Sequence, residues 1–151
     1  MASGKASEKQ KNYWTKFNEY LKQIGNQKIR YEIQSKNHVW FSEWYNNACC
    51  CLTFKTRSYL DIGPLIGCEI YIDNNKGLYN FLLNHKKEIE AEFDQALYWQ
   101  PNGFKQPEDS RVEIARKVDF DNISKYKEYF DWMIDKGEKF LKIFNEYVCK
   151  Y

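Results

Sequence analysis

Apolar side chains recur at helical spacing near the start of the chain. Between Lys9 and Ile24 they follow one another at intervals of three or four residues, at Trp14, Phe17, Leu21 and Ile24. This spacing places them on one face of an amphipathic helix, and the following Gly25-Asn26 pair predicts where the helix ends. The small polar residues 1–8 that precede it are predicted to be a disordered tail.

Two further stretches show the same helical period. One begins at Asn74 or Asn75, either of which can cap a helix, and runs to about Leu97. Its apolar positions are Leu78, Phe81, Leu82, Ile89 and Phe93. The last stretch runs from about Ile123 to Val148, with apolar positions at Tyr126, Phe130, Met133, Ile134, Phe140 or Leu141, Phe144 and Val148. The chain is therefore predicted to contain three helices.

Between the first two helices the pattern changes to period two, which is typical of strands. Strands are predicted over Lys28–Gln34, His38–Trp44, Cys49–Thr56 and Leu65–Asp73, with a fifth at Arg111–Val118 after the polar loop Gln100–Asp109. In the clearest of them, Ile66, Cys68, Ile70 and Ile72 share one face, whereas Gly67, Glu69, Tyr71 and Asp73 share the other.

The order of these elements predicts an α+β fold. Consecutive strands favour a mostly antiparallel sheet of about five strands, and the three amphipathic helices need a surface to cover. The predicted order is helix, strands, helix, strand, helix. No internal repeat or linker divides residues 9–151, so they are predicted to form a single domain.

Composition limits the class of protein. The chain has 27 aromatic residues (5 Trp, 12 Tyr and 10 Phe), which argues against intrinsic disorder because buried rings remove much apolar area from water. The 23 basic and 21 acidic residues leave a net charge of only +2, so overall attraction to nucleic acid is expected to be weak. No run is apolar enough for a membrane span.

The five cysteines form neither a disulfide framework nor a zinc motif. Their number is odd, three are consecutive at Cys49, Cys50 and Cys51, and no Cys-x-x-Cys pair occurs. They are predicted to be small apolar core residues in a reducing cytoplasm. No apolar segment typical of a secretory signal follows Met1, and no cofactor or metal is predicted.

Several local patterns, in a fixed order, resemble one bacterial and archaeal family. They are Glu69–Lys76, Tyr79-x-x-Leu82, Lys86/Lys87-x-Ile89-Glu90, Leu97-x-Trp99, Ser110-Arg111, Trp132 and Phe140-x-x-x-Phe144, preceded by Tyr13-Trp14-x-x-Phe17. Over nearly the whole chain the sequence is similar to the domain of unknown function 4268 family. The resemblance implies a domain that accompanies nuclease-like or restriction-associated modules and also occurs alone. It implies no catalytic residues.

One set of candidate residues carries the chemistry of a divergent magnesium-dependent nuclease. Such a site needs at least two carboxylates and a nearby lysine on adjacent strands, so that a metal ion can join phosphate and attacking water. Glu69 and Asp73 lie on one face of the clearest strand, and Glu113 and Lys117 lie on one face of the last. The alternative is ordinary cross-strand pairing of charges on a solvated face.

A second set of candidate residues favours binding. The outward face of the predicted sheet carries cations, including Lys55, Arg57 and Arg111, beside the stacking ring of Tyr71. The predicted strand His38–Trp44 and the residue after it carry four aromatic side chains, at Trp40, Phe41, Trp44 and Tyr45. They cannot all face inward, because alternate side chains of a strand point to opposite sides. Trp40 and Trp44 are therefore candidate contacts with a second surface, which is either the N-terminal helix of the chain or a partner.

Together the patterns favour a non-catalytic binding or assembly module in the cytoplasm, with a link to nucleic-acid or defence systems. A protein partner and self-association are both compatible with them, whereas nucleic-acid binding is expected to be weak and membrane binding is not expected. The alternative is the divergent magnesium-dependent nuclease.

Overall fold

The computed structural model describes residues 7–29, 38–40, 50–58 and 60–151, and its α+β class is the one predicted. The first helix, α1, spans Glu8–Gln23, one residue earlier than its pattern predicts. Ser7 starts it with a capping box, in which its side chain accepts from Gln10 and the Gln10 side chain accepts from the Ser7 backbone. Gly25 follows the helix with a positive φ of 67°, as the Gly-Asn pair predicts.

Five strands form one sheet in the described part of the chain. They are β1 (His38–Trp40), β2 (Cys50–Lys55), β3 (Leu65–Ile72), β4 (Tyr98–Gln100) and β5 (Ser110–Lys117). Their order across the sheet is β1-β2-β3-β5-β4, and every neighbouring pair is antiparallel. The antiparallel sheet predicted from the sequence is thus confirmed.

The strands differ from the predicted ones at both edges of the sheet. The strand β4 was not predicted, because three residues are too few to show a period and they follow directly on a predicted helix. Of the strand predicted at Lys28–Gln34, the described residues Lys28 and Ile29 are not in a strand, and the rest lies outside the described residues. Only the first three residues of the strand predicted at His38–Trp44 are described.

The helix predicted from Asn74 or Asn75 to Leu97 is wrong as a single element. It forms two helices, α2 (Lys76–Asn84) and α3 (Lys86–Phe93), because the backbone of His85 departs from helical geometry. The side chain of Asn75 caps α2, and Asp94 ends α3 in the left-handed conformation at φ 52°. The apolar stripe could not reveal this break, since its members keep the same period on both sides.

The last helix, α4, spans Tyr126–Glu146 and lies against the sheet. Short 3-10 helices at Ile123–Lys125 and Val148–Lys150 flank it, so the predicted range Ile123–Val148 is accurate to within a few residues. The helix approaches β2 closely at Gly137, where an added Cβ would stand 2.7 Å from Cζ of Phe54. Only glycine permits this contact without displacing the ring.

The apolar core lies between the helices and one face of the sheet. The face is formed by alternate residues of the central strands, among them Leu52, Phe54, Ile70 and Ile114, all of which are buried. Cys50 and Cys68 lie on the same face, which confirms their predicted role as core residues. The same prediction is wrong for Cys149, which is exposed near the end of the chain. Within the described residues, no helix is both long and apolar enough to cross a membrane.

Candidate functional site

The opposite face of the same strands is polar and nevertheless buried. The antiparallel register places Thr53, Glu69, Glu113 and Tyr98 in one row across β2, β3, β5 and β4. Glu69 and Glu113 are therefore direct neighbours on the two central strands. Like charges at such positions repel each other, and burial removes the water that would screen them. The pair needs cations at close range.

Lys55 supplies the first cation. Its Nζ contacts Oε1 of Glu69 and lies 3.0 Å from Oε2 of Glu113, so one ammonium group bridges both carboxylates. The register places Lys55 opposite Gly67, one row away from Glu69. An added Cβ at Gly67 would stand 3.1 Å from Cγ of Lys55, so the missing side chain leaves room for the lysine stem to cross β3.

Three further side chains complete the contacts of the carboxylates. Nε of Arg111 lies 3.4 Å from Oε2 of Glu69. Oε1 of Glu113 accepts hydrogen bonds from Ser58 at 2.8 Å and from Gln100 at 2.5 Å. We call these residues, together with Lys55, the charge cluster: Lys55, Ser58, Glu69, Gln100, Arg111 and Glu113.

The charge cluster is electrically balanced and nearly closed to water. Its two carboxylates face one ammonium and one guanidinium group, and the side chain of Glu113 is 0% exposed, that of Glu69 5% and that of Lys55 8%. Burial lowers the pKa of Lys55, but the charges and hydrogen bonds of Glu69 and Glu113 outweigh it, so the pKa is raised. Lys55 therefore stays protonated at neutral pH.

A second polar group adjoins the charge cluster at the end of β3. The hydroxyl of Tyr71 donates to Asp109, which also accepts from the backbone N–H of Asn74 at 3.3 Å. The guanidinium of Arg111 lies over the Tyr71 ring, 4.9 Å from its centroid. These contacts engage both Tyr71 and Arg111, two of the predicted binding residues, within the chain.

Lys76 fixes the loop between β4 and β5 to the start of α2. Its Nζ donates to the carbonyl of Pro101 and lies 3.0 Å from the carbonyl oxygens of Pro107 and Asp109 and from Oγ of Ser110. The Ser110 hydroxyl also donates to the carbonyl of Pro101 at 3.1 Å, which joins the two ends of the loop. The loop is therefore held at its base although most of its side chains are exposed.

Of the four predicted nuclease residues, the structure brings together only Glu69 and Glu113. Asp73 is exposed beyond the end of β3, and Lys117 is exposed opposite Leu65 at the far end of the β3–β5 ladder. The lysine beside the carboxylates is Lys55, which lies on a different strand from either glutamate. Within the described residues, no three His, Cys, Asp or Glu side chains form a group that could hold a metal ion.

The remaining predicted binding residues are Trp40, at the end of β1, and Trp44. The register of β1 places Trp40 opposite Thr53, on the row that contains the two glutamates, whereas Trp44 lies outside the described residues. Sequence reasoning missed Ser58, Gln100 and Asp109 as members of these polar groups. No periodic signal identifies them, because Ser58 and Asp109 lie in loops and Gln100 lies in the unpredicted strand β4.

The comparison with family models agrees with the resemblance seen in the sequence. A model described as "Domain of unknown function (DUF4268)" matches residues 9–148, which is nearly the whole chain. Neither a curated protein nor a solved structure shows a significant match. The chain belongs to the DUF4268 family.

Proposed function

We propose that this chain is a non-catalytic assembly module. One observation carries the proposal: all four carboxylate oxygens of Glu69 and Glu113 already contact a donor or cation of the chain itself. A catalytic carboxylate must exchange a proton or hold a metal ion or water during the reaction. In the charge cluster each such exchange would first break a buried contact.

The partner we propose is a second copy of the chain, bound through the segment 98–109. Tyr98 is 42% exposed and Phe104 is 67% exposed, and exposed aromatic rings are enriched at protein interfaces. The contacts of Lys76 hold the loop in place, so little conformational entropy would be lost on binding. Lys105 and Glu108 are both exposed on this loop. In a dimer with a two-fold axis, Lys105 of each chain can face Glu108 of the other chain.

Sedimentation velocity over a roughly hundredfold range of protein concentration tests this proposal, because self-association by mass action grows with concentration. We expect a species of twice the mass of one chain, which Phe104→Ser abolishes. Ile123→Ser is the matched control, since Ile123 is also an exposed apolar residue, at 56%, but precedes α4. A wild-type chain that stays monomeric throughout, or equal weakening by both variants, would contradict the proposal.

Nucleic acid is a lesser partner under this proposal. Tyr71 and Arg111 could stack on and pair with a nucleotide only by leaving Asp109 and Glu69. We therefore expect weak binding to single-stranded DNA. The logarithm of the association constant should fall linearly with the logarithm of the salt concentration. The buried thiols of Cys51 and Cys68 form no disulfide, which supports a reducing compartment such as the cytoplasm.

A magnesium-dependent nuclease is the second candidate function, and one observation favours it. Glu69 and Glu113 are cross-strand neighbours with an ammonium group between them, which is the set of groups that such a site requires. Incubation of DNA with Mg²⁺ or Mn²⁺ tests it, with Glu113→Gln as the inactive variant. Cleavage by the wild type that Glu113→Gln removes would establish this function, and no cleavage by the wild type excludes it.

A further inference from the structure

Four aromatic side chains contact one another at the surface where α2 meets the end of α4. They are Phe81 of α2, His85 at the junction of α2 and α3, Tyr147 at the end of α4, and Tyr151. The centroid of the His85 ring lies 5.0 Å from that of Phe81 and 5.1 Å from that of Tyr147. The Tyr151 ring lies 5.3 Å from the Phe81 ring. We call these four residues the aromatic set.

We propose that the aromatic set binds an arginine side chain of a partner protein. Phe81, His85 and Tyr147 are half-buried and Tyr151 is 53% exposed, so all four rings reach the surface. Tyr151 is held in place, because its hydroxyl lies against Gly77 of α2, where an added Cβ would collide with it. Rings that are already positioned can stack on a planar guanidinium group at little cost in conformational entropy.

The charges around the aromatic set favour a cationic ligand. Burial raises the pKa of the Tyr147 hydroxyl, and the charges of Glu88, Glu146 and Glu92 raise it further, whereas that of Lys142 lowers it. Lys142 already pairs with Glu92 at 2.9 Å. Glu88 and Glu146 are exposed, and neither forms an ion pair within the part of the chain that the structure describes. Two carboxylates near Tyr147 are therefore available to a guanidinium group.

The lysines that follow His85 do not cancel this charge at the rings. Successive residues of a helix are rotated by about 100° around its axis. Lys86 and Lys87 are therefore turned about 100° and 200° away from His85, whereas Glu88 returns to within about 60° of it. The face of α3 that continues from His85 thus carries a carboxylate.

The chain itself contains two examples of an arginine bound in this way. Cζ of Arg111 lies 4.9 Å from the centroid of the Tyr71 ring, and its Nε pairs with a carboxylate of the charge cluster. Cζ of Arg116 lies 5.2 Å from the centroid of the Tyr129 ring, and its Nη2 lies 3.1 Å from Glu128. The aromatic set offers the same two groups, a tyrosine ring and a glutamate, but no arginine of the described residues lies over its rings. A lysine lacks the planar group that stacks and pairs at once.

An NMR titration with three peptides tests the proposal. The chain, labelled with ¹³C in its aromatic side chains, is titrated with acetyl-Gly-Arg-Gly-amide and with peptides in which citrulline or lysine replaces the arginine. Citrulline keeps the shape of arginine without its charge, and lysine keeps the charge without the planar group. We expect saturable shifts of the ring signals of the aromatic set. The arginine peptide should bind at least about fivefold more tightly than the citrulline peptide, and also more tightly than the lysine peptide.

Two substitutions assign the binding to this surface. Tyr147→Leu removes a ring but keeps an apolar side chain, and Glu146→Gln removes an exposed charge. Each should weaken binding of the arginine peptide at least about threefold. The matched controls are Tyr20→Leu, at a half-buried ring beside Asp131, whose carboxylate already pairs with a lysine, and Glu19→Gln, at an exposed position of α1. Both controls should bind the peptide as the wild type does.

Each outcome decides the question. Equal binding of the arginine peptide and either other peptide would overturn the proposal, and so would a lack of saturable shifts or unchanged binding in Tyr147→Leu or Glu146→Gln. If Tyr147→Leu does not fold, Tyr151→Leu, at the more exposed ring, replaces it. Ring shifts that change with protein concentration in the absence of peptide would assign the aromatic set to a second copy and overturn the choice of partner. The aromatic set lies outside the segment 98–109, so the proposed self-association can fail or hold independently.

Discussion

The two faces of the sheet are built from the same strands but are stabilised by different forces. On the face that packs against the helices, Phe54 and its neighbours gain stability from removal of apolar surface from water. On the other face Lys55, the next residue along β2, takes part in a buried set of charges that must balance. Apolar contacts can be lost one at a time, whereas the loss of one charge leaves its partners unpaired. Substitutions at adjacent positions should therefore behave differently.

The largest effect is expected on the apolar face, from Phe54→Ala. The ring is fully buried, packs edge-on against Phe17 at 5.4 Å and lies against Gly137 of α4. Its removal leaves a cavity and should lower the free energy of unfolding by about 3–5 kcal/mol. Urea unfolding measures this, and the deficit should not change with salt. Phe104→Ala, at an exposed ring, should cost less than about 0.5 kcal/mol. Equal losses in the two variants would show that Phe54 is not a core residue.

The next largest effect is expected on the polar face. Lys55→Met leaves two buried carboxylates without their shared cation and should lower the free energy of unfolding by about 3 kcal/mol. Unlike an apolar deletion, this loss should be largely recovered when the partners are neutralised as well, in Lys55→Met with Glu69→Gln and Glu113→Gln. Urea unfolding of the two variants measures the recovery. A triple variant no more stable than the single one would contradict charge balance as the source of stability.

The loss of stability caused by Lys55→Met should depend on pH. Because the folded-state pKa of Lys55 is raised above its ordinary 10.5, the folded chain holds this proton more tightly than the unfolded chain. Its contribution to stability is therefore complete below 10.5 and is lost only as the pH rises through the higher folded-state value. The difference in Tm between the wild type and Lys55→Met should stay constant from neutral pH to about 10 and decline above it.

A smaller loss of stability is expected from substitution of Gly67, whose missing side chain leaves room for Lys55 on the polar face. An alanine Cβ at Gly67 would stand 3.1 Å from Cγ of Lys55 and 3.0 Å from the carbonyl oxygen of Ile114. Gly67→Ala should lower the free energy of unfolding by about 1–2 kcal/mol, measured by urea unfolding. In a background with Lys55→Ala, Glu69→Gln and Glu113→Gln, the lysine stem is absent and the loss should shrink. An equal loss in both backgrounds would identify the Ile114 carbonyl as the obstacle instead of Lys55.

The apolar face was predictable from the sequence because its apolar residues recur at every second position of a strand. Alternation along β3 assigned Ile66, Cys68, Ile70 and Ile72 to one side, and the structure buries all four. The register between strands was not predictable in the same way, since period two is unchanged when one strand slides by two residues. The pairing of Glu69 with Glu113 depends on that register.

The rest of the charge cluster depends on residues that carry no periodic signal. Lys55 was visible as an outward cation, but its reach toward Glu113 depends on a glycine in the next strand. Ser58 and Gln100 contact Glu113 from a loop and from a three-residue strand. Likewise Lys117 shares a strand face with Glu113, but four residues along an extended strand place it roughly 13 Å away. Sequence spacing within one strand is thus a poor guide to contacts made across strands.

The smallest effect concerns Asp73, one of the predicted site residues that lie outside the charge cluster. Burial raises its pKa above the ordinary 3.8, and the charge of Asp109, a hydrogen bond with Asp109 and the charge of Glu108 raise it further. A raised folded-state pKa means that the folded chain binds this proton more tightly, so ionised Asp73 destabilises the fold at neutral pH. Asp73→Asn should therefore raise Tm slightly at neutral pH, and the gain should vanish below pH 3.8, where the wild-type carboxyl is protonated in both states. Asp61→Asn, at an exposed position between β2 and β3, controls for a general change in net charge. Lower stability of Asp73→Asn at neutral pH would instead show that the Asp73 carboxylate is held by a favourable contact, as the carboxylates of the charge cluster are.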